Sequence, residues 1–231
     1  MRLYIIRHGE PDYERDCLTD KGRLQAHALA KRLAVQGVDR IFSSPNGRAR
    51  ETAKPTCDML GLPCAIEDWA SENYAWRDFH ITGPDGTTNW AFLCQNSRLK
   101  ANPLAMSGRW YEMEDFRDCL NAKGGYERLA DASDGFLSRL GYVRENNVYR
   151  IHKPNEEKVA LFCHGGMGSI ILSHMLAIPP VIFWATFDMT HTGVTILDFN
   201  HNTDGMTAPS CLVFSDISHI YKENLSTGYF A

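Results

Sequence analysis

Residues 3–10 of the chain read LYIIRHGE. The first four of them are apolar, and a short continuous apolar run predicts a buried strand in a sheet that is covered on both faces. The polar tripeptide Arg7-His8-Gly9 follows at once. Ligands of open α/β sheets bind at the carboxyl ends of the strands, so His8 is a candidate functional residue.

A second apolar segment ends in the same way. Residues 158–163 (KVALFC) are the clearest strand candidate in the chain, and His164-Gly165-Gly166 comes directly after them. If both strands are central and parallel, their carboxyl ends meet at the same edge of the sheet. His8 and His164 would then lie in one site.

The rest of the chain alternates between helical and strand patterns. A helix at residues 19–36 has Thr19 as its predicted N-cap and Gly37 as its stop. We predict further strands at residues 40–43, 64–67, 193–199 and 211–214, and further helices at residues 48–60, 126–140 and 168–177. This alternation is typical of a three-layer α/β/α fold with a mostly parallel central sheet.

Residues 69–155 interrupt the alternation with turn sequences at 83–86 and 124–125. The segment holds four of the five tryptophans: Trp69, Trp76, Trp90 and Trp110. We predict one domain over residues 1–231, with an insertion at about 69–155 that forms a helical and loop lid over the active site and determines substrate specificity. The alternative is that the tryptophans fill a peripheral core.

The composition limits the function classes. The 231 residues carry a formal net charge of −4, whereas nucleic-acid binders usually show a basic excess. The seven cysteines are scattered and odd in number, and no CxxC pair occurs, which argues against a disulfide framework or a structural zinc site. Reduced thiols in a reducing compartment are the simpler interpretation.

The sequence shows no membrane signal. No stretch approaches the roughly 20 apolar residues of a transmembrane helix, and the apolar run at residues 3–6 is too short for a signal peptide. We therefore expect a cytoplasmic protein with neither a membrane nor a nucleic acid as a partner. The oligomeric state is not readable from the sequence.

Arginines near the two histidines indicate a phosphate pocket. Arg7 precedes His8, and Arg48 lies at the start of the helix that follows the second strand, where backbone N–H groups favour an anion. A guanidinium is a permanently charged, planar fork that matches phosphoryl oxygens. Glycines at positions 9, 165 and 166 allow the backbone to approach a ligand closely.

Three ordered blocks resemble the histidine phosphatase superfamily, also called the phosphoglycerate-mutase-like family. The blocks are RHGE at residues 7–10, SSPNGRARETA at 43–53 and CHGG at 163–166, and each follows a predicted strand. The resemblance implies that His8 is a nucleophile that forms a phosphohistidine. It implies that Arg7, Arg48 and His164 hold the phosphoryl oxygens, with no metal or other cofactor.

The family also places an acidic residue after the third strand, to protonate the leaving oxygen and later deprotonate water. Glu72 is the best match, and Asp68 and Asp78 are the alternatives. One position departs from the family pattern, since Glu14 stands where many members have asparagine. An additional carboxylate beside a phosphate is unfavourable, so either Glu14 points away or the loop at residues 11–17 is arranged differently.

Three functions are compatible with these residues. The first is a phosphatase acting on a small phosphorylated substrate, the second a cofactor-dependent phosphoglycerate mutase, and the third a non-catalytic member that binds a phosphorylated ligand. The mutases carry Glu-Arg and then Tyr-Gly, whereas this chain has Glu72-Asn73-Tyr74-Ala75, which favours the phosphatase.

Substrate groups beyond the phosphate could meet either aromatic or cationic side chains. The aromatic candidates are the tryptophans with Phe79, Phe92 and Tyr111, and the cationic candidates are Arg77, Arg98, Lys100 and Arg109.

Overall fold

The computed structural model describes residues 1–83, 85–93, 96–201 and 204–225. Its strands are β1 (Arg2–Arg7), β2 (Pro11–Asp12), β3 (Cys17–Leu18), β4 (Arg40–Ser43), β5 (Cys64–Ile66), β6 (His80–Thr82), β7 (Thr88–Trp90), β8 (Tyr142–Glu145), β9 (Val148–Ile151), β10 (Lys158–Cys163), β11 (Val194–Asp198), β12 (Met206–Thr207) and β13 (Ser210–Asp216). Its helices are α1 (Asp20–Gln36), α2 (Gly47–Leu60), α3 (Glu72–Phe79), α4 (Asn96–Ala101), α5 (Ala122–Arg139), α6 (Gly165–Met175), α7 (Pro180–Trp184) and α8 (Ser218–Lys222).

The central sheet has the strand order β13-β11-β1-β10-β4-β5. Strands β1, β10, β4 and β5 are parallel, and β11 runs antiparallel to both of its neighbours. The predicted mostly parallel sheet is therefore confirmed. Because β1 and β10 are adjacent and parallel, with Arg7 paired to Cys163, the residues that follow them emerge side by side.

Helices cover both faces of the sheet, which explains the continuous apolar runs. On one face Leu3 and Ile5 of β1 pack into a core with α5 and α6. On the other face Tyr4 and Ile6 pack against Leu29 of α1 and its neighbours. Successive side chains of a strand point to opposite faces, so a strand that lies between two helical layers is apolar at every position.

The ends of the helices follow the capping signals where these are local. Thr19 accepts a hydrogen bond from the Gly22 N–H at 3.0 Å, and Gly37 ends α1 with φ of 73°. Helix α6 starts at Gly165, three residues before the predicted start, and α5 starts at Ala122, four residues before. The Asn121 side chain caps α5 by accepting from the Gly124 N–H at 3.1 Å.

The predicted insertion is a mixture of short elements. Between β5 and β10 the chain forms α3, the β6–β7 hairpin, α4, short 3₁₀ turns, α5 and the β8–β9 hairpin. Residues 84, 94 and 95 of this segment, which include Cys94, lie outside the described residues. The segment packs its apolar side chains, among them Phe79 and Trp110, onto the face of the sheet that carries Leu3 and Ile5.

Candidate active site

His8 lies at the carboxyl end of β1 and lines a cavity of about 520 Å³. Its side chain is buried, and Nδ1 donates a hydrogen bond to the Gly9 carbonyl at 2.7 Å. A neutral imidazole with its proton on Nδ1 keeps its lone pair on Nε2. Burial, together with the positive charge of Arg7, holds the pKa of His8 well below its usual range, so the ring is neutral at pH 7.

His164 lies behind His8 at the carboxyl end of β10, with the two ring centroids 5.2 Å apart. Its Nε2 donates to the Ser44 hydroxyl at 2.7 Å, because that hydroxyl itself donates to Asn46 Oδ1 at 3.1 Å. The ring is fully buried and adds no residue surface to the cavity wall. Burial lowers the pKa of His164 well below its usual range.

Arg7 and Arg48 both line the cavity beside His8. Arg7 donates to the Met189 carbonyl, and Arg48 forms an ion pair with Asp16. The buried Nε atoms of both arginines and Nδ1 of His164 have no hydrogen-bond partner within the described part of the chain. More than nine in ten buried polar groups in proteins are paired, so the two unpaired guanidinium N–H groups beside His8 indicate a site for an anion, whereas Nδ1 of the neutral His164 ring carries a lone pair.

Glu72 is the first residue of α3 and lines the same cavity as these two arginines. Its two carboxylate oxygens accept hydrogen bonds from Gly166 N–H at 3.1 Å and Met167 N–H at 3.0 Å, in the first turn of α6. Burial raises the pKa of Glu72, and the two N–H groups and Arg48 act in the opposite direction. These two hydrogen bonds also explain why α6 begins earlier than its apolar pattern predicts.

The alternative acids lie elsewhere. Asp68 is exposed, and Asp78 is buried in ion pairs with Arg77 and Arg128 at 2.8 Å each. Neither lines the cavity. Of the three acidic candidates, only Glu72 shares the cavity with His8.

The loop at residues 11–17 resolves the question of Glu14. Glu14 is exposed and does not line the cavity, whereas its neighbour Tyr13 does. The Tyr13 ring lies 5.5 Å from the Arg48 guanidinium and 6.4 Å from the His8 ring. Asp16, with φ of 48°, accepts from Gly47 N–H at 2.7 Å and thereby joins the loop to the start of α2.

Two further residues complete the surroundings of His8: Thr52, which belongs to the second sequence block, and His191, which no motif marks. Thr52 accepts from the Gly9 N–H at 2.9 Å and donates to the Arg48 carbonyl at 2.7 Å, so it ties the loop after β1 to α2. His191 lies 5.7 Å from His8 between ring centroids, and burial lowers its pKa to about 4. His219 does not line the cavity; it bonds the Thr192 hydroxyl at 3.0 Å, and the Thr192 N–H in turn donates to the Arg7 and His8 carbonyls.

Aromatic rings form the wall of the cavity beyond the arginines: Trp76, Trp90, Phe92, Trp184 and Phe187. Of the aromatic candidates from the sequence, Phe79 and Tyr111 lie outside this cavity, and Trp110 is buried in the core. Three residues of the cavity wall, Trp184, Phe187 and Asp188, lie between the predicted helix at 168–177 and the predicted strand at 193–199. This stretch of sequence contains no motif. Only the tertiary structure brings them over the site.

The described residues contain no cluster of three or more histidine, cysteine, aspartate or glutamate side chains that could hold a metal ion. None of the helices in the described part of the chain is both long and apolar enough to span a membrane.

Comparisons with known proteins agree with this geometry. A sequence model of the histidine phosphatase superfamily (branch 1) matches residues 3–78 and 136–209. A protein from Hydrogenobacter thermophilus named phosphoserine phosphatase 2 is 36% identical over 76 residues, which are 29% of this chain and 37% of that protein. A Yersinia pestis protein named as the phosphoglycerate mutase GpmB is 29% identical over 112 residues, which are 37% of this chain and 52% of that protein. The chain thus spans about half or less of these curated relatives.

Solved structures show the same fold. The phosphoserine phosphatase of Entamoeba histolytica, in complex with 3-phosphoglyceric acid, superposes with a TM-score of 0.60 at 21% identity, over 95% of this chain and 98% of that one. A mycobacterial glucosyl-3-phosphoglycerate phosphatase gives a TM-score of 0.58 at 17% identity, over 93% and 98%.

Proposed function

Because the chain belongs to the histidine phosphatase superfamily, we propose that it is a phosphatase that hydrolyses a phosphate monoester through a phosphohistidine intermediate on His8. The observation that carries this proposal is a buried, neutral His8 placed beside Arg7 and Arg48 on the wall of a cavity. The Nδ1 proton is held by the Gly9 carbonyl, which leaves Nε2 as the nucleophilic nitrogen.

In the first step, Nε2 of His8 attacks phosphorus and the bond from phosphorus to the leaving oxygen breaks. Glu72 gives its proton to that oxygen, so the product leaves as an alcohol. Arg7 and Arg48 stabilise the charge on the phosphoryl oxygens, and His164 joins them in its protonated form, with Nδ1–H as the donor. In the second step, the Glu72 carboxylate takes a proton from water, the water oxygen bonds to phosphorus, and the electron pair of the N–P bond returns to His8.

The charges of the cavity favour hydrolysis over the mutase reaction. A phosphoglycerate mutase must hold a substrate carboxylate in addition to the phosphate. The lining residues include only two lysines or arginines, Arg7 and Arg48, and the residues outside the described ranges contain no lysine or arginine. A non-catalytic binding role is disfavoured because a nucleophile, two arginines and an acid all meet at one cavity.

We also propose that the predicted insertion acts as the specificity lid. Trp76, Asn89, Trp90 and Phe92 come from it and line the cavity, and the family model leaves residues 79–135 unmatched. A cytoplasmic location remains part of the proposal. It rests on six cysteines that are free in the described structure, which suits a reducing compartment.

The test is hydrolysis of a panel of phosphomonoesters, with 3-phosphoglycerate plus 2,3-bisphosphoglycerate included to detect mutase activity. We expect phosphate release that His8→Ala abolishes without a change in the melting curve, and that persists in EDTA. Brief incubation with ³²P-labelled substrate should label the protein with an acid-labile, base-stable phosphate that the variant lacks. Unchanged turnover in His8→Ala, or activity that EDTA removes and metal restores, would contradict the mechanism.

A further inference from the structure

The proposed phosphatase leaves its alcohol product undefined, and the cavity beyond the phosphate pocket restricts it. We propose that this enzyme selects phosphate monoesters whose alcohol part carries a flat ring and lacks a carboxylate. The inference rests on the proposed function and specifies its substrate class. It separates this chain from the structural neighbours whose names refer to phosphoserine or a phosphoglycerate, both of which bear a carboxylate.

The aromatic wall starts where the leaving oxygen would receive its proton. A Cβ atom placed on Gly166 would lie 2.6 Å from Cη2 of Trp90 and 3.0 Å from Oε1 of Glu72. The six-membered ring of Trp90 and the Glu72 carboxylate are therefore both in contact distance of the same glycine. An alcohol that Glu72 protonates must leave along the face or edge of Trp90.

The wall continues outward from Trp90 without a break. Trp76 meets Trp90 edge to face at 5.0 Å between ring centroids, and Phe92 lies 5.1 Å from Trp90. Trp184 lies 4.8 Å from Phe92. Centroid separations of 4.5–7 Å are typical of stabilising aromatic pairs, so the rings hold one another in place and present a rigid apolar surface to a ligand.

Positive charge is confined to the phosphate pocket. Arg7 and Arg48 lie beside His8, and the arginines of the insertion that could have received an acidic group are engaged outside the cavity. Arg77 pairs with Asp78 at 2.8 Å, Arg98 with Asp115 at 3.2 Å, and Arg109 with Glu112.

Beyond Arg7 and Arg48, a carboxylate on the alcohol would therefore meet aromatic rings, the neutral polar residues Asn73, Asn89 and Ser169, and the acidic residues Glu72 and Asp188, but no further cation. Desolvating a charge without a partner is costly, whereas a ring that packs on these side chains gains apolar burial and aromatic contacts.

Two pairs of substrates separate these effects from leaving-group chemistry. O-phosphoethanolamine is phosphoserine without its carboxylate. 2-Phenylethyl phosphate is ethyl phosphate with an added phenyl ring. In all four esters the leaving oxygen belongs to a primary alcohol. We expect kcat/KM to be at least about tenfold higher for phosphoethanolamine than for phosphoserine. We expect a gain of about tenfold or more from the ring, which corresponds to about 1.4 kcal/mol.

Variants of the wall test the same assignment from the protein side. Trp76→Leu should reduce kcat/KM for 2-phenylethyl phosphate several-fold more than for ethyl phosphate, and Trp76→Phe should restore most of the difference. Asn73 lines the cavity next to Glu72 in sequence and is exposed. Asn73→Arg should raise the phosphoserine rate relative to phosphoethanolamine, and Asn73→Gln should not.

The outcomes distinguish a failure of the proposed function from a failure of the proposed substrate class. If none of the four esters is hydrolysed and no phosphohistidine forms, the proposed function fails. If hydrolysis depends on His8 but phosphoserine matches phosphoethanolamine, or the ring adds nothing, the phosphatase stands and the substrate class is wrong.

Discussion

At the scale of single residues, burial shifts two pKa values in directions that suit acid and nucleophile. It lowers the pKa of His8, helped by Arg7, and it raises the pKa of Glu72. Both shifts widen the pH range in which a neutral His8 coexists with a protonated Glu72. The rate should rise with pH as His8 loses its proton, well below 6.5, and fall as Glu72 loses its own, above 4.5.

Replacing the acid should reveal its role through the leaving group. We expect Glu72→Gln to lower kcat/KM for alkyl phosphates by about 10²–10⁴-fold, the usual contribution of general acid catalysis. p-Nitrophenyl phosphate should lose far less, because p-nitrophenolate hardly needs a proton to leave. The parameter to compare is kcat/KM, since it reports the steps through release of the alcohol and excludes hydrolysis of the phosphohistidine.

A matched control is available on the same segment. Asp68 is also a carboxylate, but it is exposed and outside the cavity, so Asp68→Asn should leave both substrates unaffected. Equal losses for alkyl and p-nitrophenyl esters in Glu72→Gln, or a leaving-group effect in Asp68→Asn, would refute Glu72 as the acid.

At the scale of elements, the sequence predicted the part of the site that strands carry. His8, Arg48 and His164 each follow a strand whose apolar run is visible locally, so the parallel sheet brings them together. Tyr13 and Trp184 could not be found in this way. Their positions depend on the packing of a loop and a short helix against distant residues, and no short motif encodes that packing.

The role of Asn46 is another feature of the site that the sequence alone does not reveal. It lies in the second sequence block, but its side chain acts on another element. Oδ1 accepts from Ser44 Oγ at 3.1 Å, Ser71 Oγ at 3.1 Å and the Glu72 N–H at 3.2 Å. The Asn46 side chain, at the start of α2, thereby caps α3, the helix that begins with the proposed acid Glu72.

Removing this cap should misplace Glu72. We expect Asn46→Ala to cost about 1–2 kcal/mol of stability, as for the loss of a helix cap, and to lower kcat/KM for alkyl esters more than for p-nitrophenyl phosphate. Asn46→Asp keeps the accepting oxygen and should recover the leaving-group profile. A uniform loss for all esters in Asn46→Ala, measured at a temperature where the variant is folded, would show a purely structural role.

At the scale of the whole molecule, the fold holds several histidines neutral in its interior. Burial lowers the pKa of His8 and His164 well below 6.5, and that of His191 and His219 to about 4. Between these values and 6.5 the unfolded chain binds more protons than the folded one. The free energy of unfolding therefore rises with pH across this window and is lost as pH falls through it.

His219 allows this linkage to be measured without replacing a residue that lines the cavity. Burial and Arg32 lower its pKa to about 4, against the opposing charge of Asp216. At pH 4.5 such a histidine costs about 2 kcal/mol of stability relative to neutral pH, or about 4–8 °C in Tm for a domain of this size. We expect His219→Gln, which can still bond Thr192, to flatten the fall of Tm between pH 7 and 4.5 by this amount. His27→Gln, at an exposed position on α1, should keep the wild-type slope. If the two variants have equal slopes, buried His219 does not carry the pH dependence.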